Sequence, residues 1–201
     1  FFEEILGKNK ETIYHEWSQT SHTISLDSDL QHELIEMCEK EQLLRSEWIN
    51  ADKNGSVDAE EWGKKVLEID NLHLIRLQEI VKNYARWPGF SLIGSEGSHA
   101  FWLLVQHTPD DNFQNECLDL LEKAVQKQDA SPIDLAYLKD RVYMYAGKKQ
   151  IYGTQLQFTD LGDLIFYPIE DEEHVNERRL LLGLPSLEDY LQIVKEAYER
   201  G

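Results

Sequence analysis

Apolar positions recur at helical spacing over most of the chain. Ile5, Ile13 and Trp17 predict an amphipathic helix over 3–17. A Ser/Thr/His/Asp-rich linker over 18–28 follows, with Asp27 or Ser28 placed to cap the next helix. Over 29–50, Leu30, Leu34, Cys38 and Trp48 share one stripe, and Glu41 and Arg45 interrupt it. A Glu four residues before an Arg is ordinarily an exposed helix pair. This pair lies along the apolar stripe, so a buried or site-facing pair stands beside the ordinary structural one.

Residues 58–86 continue the helical pattern, in two segments meeting near Asp70-Asn71. Pro88 and Gly89 then stop it. Trp87, Pro88, Gly89, Gly94 and Gly97 make 87–97 a loop that allows close backbone approach. A strongly apolar helix over 98–107 ends in Gln106-His107. Thr108-Pro109-Asp110-Asp111 and Ser131-Pro132-Ile133-Asp134 share one grammar: a cap, a proline in the first turn, and an acid three residues after the cap. They open helices over about 109–127 and 132–139.

The period then changes. Arg141-Val142-Tyr143-Met144-Tyr145 alternates, as do residues 150–158, and Leu164-Ile165-Phe166-Tyr167 follows a second turn. This predicts a three-stranded antiparallel meander near residues 141–167. Helices return over 172–182 and after Ser186. The expected fold is α+β, mostly α, with an N-terminal helix and linker over 1–28 and a single globular domain over 29–201.

Composition narrows the function. With 201 residues and 41% hydrophobic content, the chain can bury a core of domain size. A formal charge of −18 repels nucleic acid and anionic lipid, so neither is an expected partner. The partner class left is a small molecule, a peptide or another protein. Cys38 and Cys117 lie in helical apolar stripes and read as reduced core residues. No C-x-x-C or H-E-x-x-H spacing occurs, and neither a metal site nor a cofactor is expected. Asp52-Lys53-Asn54-Gly55-Ser56 resembles the start of a calcium loop, but Val57 and Gly63 stand where that loop needs Gly and Glu. No apolar run reaches the ~20 residues of a membrane span. A cytoplasmic location is the expectation, although Phe1 in place of an initiator Met leaves a removed leader open.

His107 is the leading candidate for chemistry, because imidazole titrates near neutrality and here ends an apolar helix. Asp140 is the expected partner that orients it. Arg141 offers a fork for a carboxylate or phosphate. Gln106, Tyr152, Thr154 and Gln155 supply neutral polar groups suited to an amide, sugar or peptide. Gly153, in mid-strand, marks either a ligand or a tightly packed helix behind it. Trp87, Glu41 and Arg45 complete the expected binding set.

Several of these residues fall in one ordered pattern. Trp87-Pro88, Gly94, Val105-Gln106-His107, Ala136-Tyr137-Leu138-Lys139-Asp140-Arg141-Val142, Gln150, Tyr152-Gly153-Thr154-Gln155, Pro168-Ile169-Glu170-Asp171 and Leu182-Gly183-Leu184-Pro185 occur in sequence, preceded by Glu41-Gln42, Arg45 and Asp70-Asn71. This resembles a largely bacterial family catalogued as a domain of unknown function, number six-six-two-four, over about residues 30–195. A departure is Ala85-Arg86-Trp87, where the resemblance leads one to expect Gly just before the Trp. The resemblance implies a shared domain and carries over no activity. Three readings stand: a metal-independent hydrolase or group-transfer enzyme using His107 as acid and base, a ligand- or protein-binding domain, and a structural polar network with no ligand.

Overall fold

Helix α1 (Ser28–Lys53) begins where the Asp27 carboxylate accepts the Leu30 N–H at 3.0 Å, as the linker reading anticipated. The computed structural model describes residues 26–200, which form two compact units, 26–130 and 131–200. The helix expected over 3–17 and most of the linker over 18–28 lie outside the described residues.

In the first unit α1 runs antiparallel to α2 (Ala59–Tyr84), with Glu33 paired to Arg76 and Arg45 to Asp70. The two segments expected to meet near Asp70 form one continuous helix. No Gly or Pro stands near Asp70-Asn71, and Asp70 faces α1 instead of ending a helix. Helix α3 (Phe90–His107) starts inside the stretch expected to be a loop. Asp129 makes that start possible: its backbone carbonyl accepts the Phe90 N–H at 2.8 Å and its carboxylate the Ser91 N–H at 2.6 Å. The glycines of the expected loop appear as a break at Gly94, whose φ of 68° and ψ of 175° are non-helical. Beyond the break Ala100, Phe101, Trp102, Leu103, Leu104 and Val105 are all buried. Helix α4 (Asp111–Gln126) is capped by Asp110, with its carboxylate on the N–H groups of Asn112 and Phe113; Thr108, the expected cap, instead donates its hydroxyl to the Val105 carbonyl.

The second unit opens with α5 (Pro132–Tyr145), capped by Ser131 as expected. Here the sequence reading is corrected. Residues 141–145, expected as the first strand, continue α5. Five alternating residues with no stop signal before them fit a helix as well, and the buried stripe of Ala136, Leu138 and Val142 runs through the first of them. The sheet seen among the described residues is therefore two-stranded and antiparallel, β1 (Leu156–Phe158) on β2 (Leu164–Phe166), with Gln157 opposite Ile165. A single parallel bridge joins Gln150 to Ile169. A 3-10 turn, Glu172–His174, leads into α6 (Val175–Leu181), and α7 (Leu187–Arg200) closes the chain behind a Ser186 cap. Ile169, Val175 and Leu187 form the core under the sheet.

Ala85 ends α2 in the left-handed region (φ 50°, ψ 29°), its N–H on the Val81 carbonyl at 2.8 Å. A β-carbon is strained there. Ala85→Gly should raise unfolding stability by about 0.5–1 kcal/mol, the relief of strain exceeding the added freedom of the unfolded chain. A urea midpoint that falls would contradict it.

Candidate functional site

Each unit holds one buried polar cluster. The cluster in the first unit grows from the pair that interrupts the α1 stripe. Glu41, 0% exposed, receives Arg45 Nε on Oε1 and Gln42 Nε2 on Oε2 at 2.7 Å. Arg45 sends Nη2 to Asp70 Oδ2 on α2 at 2.6 Å. His107, at the last position of α3, places Nδ1 2.9 Å from Glu41 Oε1. Three helices thus meet in the order Asp70, Arg45, Glu41, His107.

Glu41 lies behind, while Arg45, His107 and Asp70 keep 20%, 11% and 9% of their side chains exposed. A molecule arriving from solvent would meet the Arg45 guanidinium first. Burial pushes the Asp70 carboxyl up, and the Arg45 charge beside it pulls the other way. One turn on, His73 is buried with no hydrogen-bond partner on Nδ1. Burial, helped by the Lys40 charge, lowers its pKa to about 4.

The second unit's cluster is centred on Asp140, also 0% exposed. Its carboxylate accepts the N–H groups of Ile151 (2.7 Å), Tyr152 (3.1 Å) and Thr154 (3.0 Å) and the Thr154 hydroxyl (3.0 Å). Burial pushes this carboxyl up, against the pull of those donors. Arg179, equally buried, grips the carbonyl side of the same loop: Nη1 donates to Tyr152 O at 2.6 Å and Gly153 O at 3.1 Å, and Nε to Pro185 O at 2.6 Å. Its guanidinium carbon lies 4.8 Å from the Tyr190 ring centre. Gln150 closes the loop, donating to the carbonyls of Gln155 and Tyr167 and accepting the Gln155 N–H. Gly153 has φ 66°, and a β-carbon there would come within 2.6 Å of Leu187 Cδ2. Of the two explanations for this glycine, the tightly packed helix holds.

Of the residues expected in a site, the structure brings together Glu41, Arg45 and His107. Gln106 is buried in the preceding position. Trp87 lies in the same unit's core, edge-on to Phe101 at 4.9 Å, with its N–H on Ser98 Oγ. Asp140, Thr154, Gln155 and the Tyr152 backbone form the second cluster, and Arg141 lies half-buried on α5. The two clusters belong to different units. Asp70, His73 and Arg179 were not among the expected site residues. A signal was there: Asp70 and His73 fall on the α2 stripe of Val66, Ile69, Leu77 and Ile80, where polar residues are uncommon.

Among the described residues no group of three or more His, Cys, Asp or Glu side chains is placed to hold a metal ion. A hollow of about 280 Å³ elsewhere on the α1–α2 pair is lined by Asp27, Glu33, Arg76 and Tyr84, whose polar groups bond one another.

The model of a family of unknown function, DUF6624, matches residues 28–200. The chain belongs to this family. Neither the curated proteins nor the solved structures include a match. The polar residues of the ordered sequence pattern divide between two clusters, one closed on backbone amides and the other on side chains.

Two outcomes are expected. His73 binds a proton near pH 6.5 when unfolded and only near 4 when folded. The unfolded state therefore takes up protons first as pH falls, and stability is lost between those values, by at most roughly 3 kcal/mol. His73→Leu removes this dependence, so wild type should weaken relative to the variant between pH 7 and pH 4.5 in urea unfolding; a constant difference would exclude it. Asp140→Asn turns an acceptor into a group with its own N–H facing loop donors, and should cost about 3–5 kcal/mol. A loss below about 1 kcal/mol, the size of an ordinary substitution, would show that the loop does not depend on the carboxylate.

Proposed function

We propose that the first unit carries an acid/base site in which His107 moves the proton and Glu41 orients it, serving hydrolysis or group transfer. The observation behind this is the 2.9 Å approach of His107 Nδ1 to a fully buried Glu41 carboxylate. A carboxylate on one ring nitrogen sets the tautomer and stabilises the charged ring, and leaves Nε2 as the working nitrogen. Asp140, first considered for the orienting role, has its acceptors engaged by loop amides; Glu41 takes that role instead. Arg45 bridges Glu41 and Asp70 where a cation would otherwise be needed, which supports a mechanism without a metal. The Asp140–Arg179 cluster is scaffold in this reading. No described helix is long and apolar enough to cross a membrane. The buried thiols of Cys38 and Cys117, neither of them in a disulfide, support a reducing compartment such as the cytoplasm.

The test uses chromogenic esters, anilides and phosphate esters as a panel. Wild type should turn over at least one member, and His107→Gln should slow it by about 10²–10⁴-fold at an unchanged melting temperature. Equal turnover by the variant would remove His107 from the chemistry. A panel that wild type leaves untouched would favour the ligand-binding reading.

A further inference from the structure

Gln106 is 2% exposed, and neither Nε2 nor Oε1 of its side chain has a hydrogen-bond partner. Buried carboxamides are almost always bonded, because an unmet donor or acceptor lowers stability while an apolar side chain of similar size does not. The neighbouring Gln114 also leaves its Oε1 unbonded, but its amide nitrogen has a structural explanation. Its Nε2 donates to the carbonyls of Val105, Gln106 and Thr108, closing the end of α3 that no further turn can satisfy. No such account covers the Gln106 side chain. It holds a donor and an acceptor idle, in the turn that ends in His107.

From this we infer that Gln106 is the recognition residue of the His107 site, and that the group it reads is an uncharged amide. An amide matches a carboxamide atom for atom: its C=O accepts from Nε2, and its N–H donates to Oε1. Charge favours the same class. Glu41 and Asp70 share one fixed cation, Arg45, and the chain as a whole carries −18. With the His107 ring neutral, a carboxylate or phosphate would bring further negative charge to a group in which two carboxylates already face one guanidinium. Peptide and carboxamide groups bring none. The inference rests on the His107 reading for the chemistry that follows binding, and it extends that reading by naming a substrate class and the residue that selects it.

The experiment follows the Gln106 side-chain NH2 signals of the ¹⁵N-labelled full chain, assigned through their own intraresidue connectivity. Acetamide and N-methylacetamide are titrated, with acetate and inorganic phosphate at equal ionic strength as charged controls. The amides should shift the Gln106 signals saturably, with the controls at least about tenfold weaker, the size of discrimination one charged hydrogen-bond partner supports. Gln106→Met should melt at a higher temperature than wild type, since idle polar atoms leave the core. The inference is overturned if the amides leave those signals in place, if acetate moves them equally, or if Gln106→Met melts lower. An ordered water bridging Gln106 to the protein, with the signals silent to acetamide, overturns it as well. Amide binding with no His107-dependent turnover would remove the acid/base role alone, and turnover with silent Gln106 signals would remove this inference alone.

Discussion

A carboxylate taken out of water costs several kcal/mol unless its lone pairs are met, and this chain does so at Glu41 and again at Asp140. Everything distinctive in either unit follows from how that demand is answered. Asp140 is answered by main-chain N–H groups and one hydroxyl, all from residues 151–154. Main-chain donors cannot change protonation and move only if the loop moves, so the result is a fixed loop. Glu41 is answered by hydrogen bonds from Arg45 and Gln42 and by the His107 ring as an ion-pair partner, its Nδ1 2.9 Å away. One of those partners is an imidazole, which can gain or lose a proton without the backbone shifting. The same energetic demand thus yields a scaffold in one unit and a group capable of chemistry in the other.

Arg179 explains why the loop tolerates Asp140 at all. Tyr152 gives its N–H to the carboxylate and its carbonyl to the guanidinium, so the anion and the cation act on one another through a peptide dipole. Arg178 adds a second grip, with Nε on the Ile151 carbonyl at 2.9 Å. Such a loop must bring its backbone close to α7, which is why position 153 admits no β-carbon beside Leu187. Tyr190 then seals the arrangement from α7, its hydroxyl on the Thr154 carbonyl at 3.0 Å.

Local chemistry was legible in the sequence and distant pairing was not. Caps at Asp27, Ser131 and Ser186 could be read directly, because a cap bonds within its own first turn. The Glu41–Arg45 pair announced itself by breaking an apolar stripe. Residues 141–145 misled, since five alternating residues carry both periods and only Gly147 shows where the helix stops. The loop expected over 87–97 failed for another reason: Asp129, thirty-eight residues after Ser91, supplies the cap that lets α3 begin early. Sequence alone offers Asp140 as the group that orients His107. Its real donors lie 11 to 14 residues on, a separation that no periodicity encodes.

Two glutamines separate scaffold from site. Gln150 is 0% exposed and uses its whole carboxamide, two carbonyls on Nε2 and one N–H on Oε1. Gln106 is 2% exposed and uses none of it. Residue type and burial are the same, so neither can account for the difference. A fold selected for stability alone would keep the first and replace the second with Leu or Met. Retaining an unmet polar group in the same helical turn as an imidazole that approaches a buried carboxylate makes sense when the missing partner arrives from outside the chain.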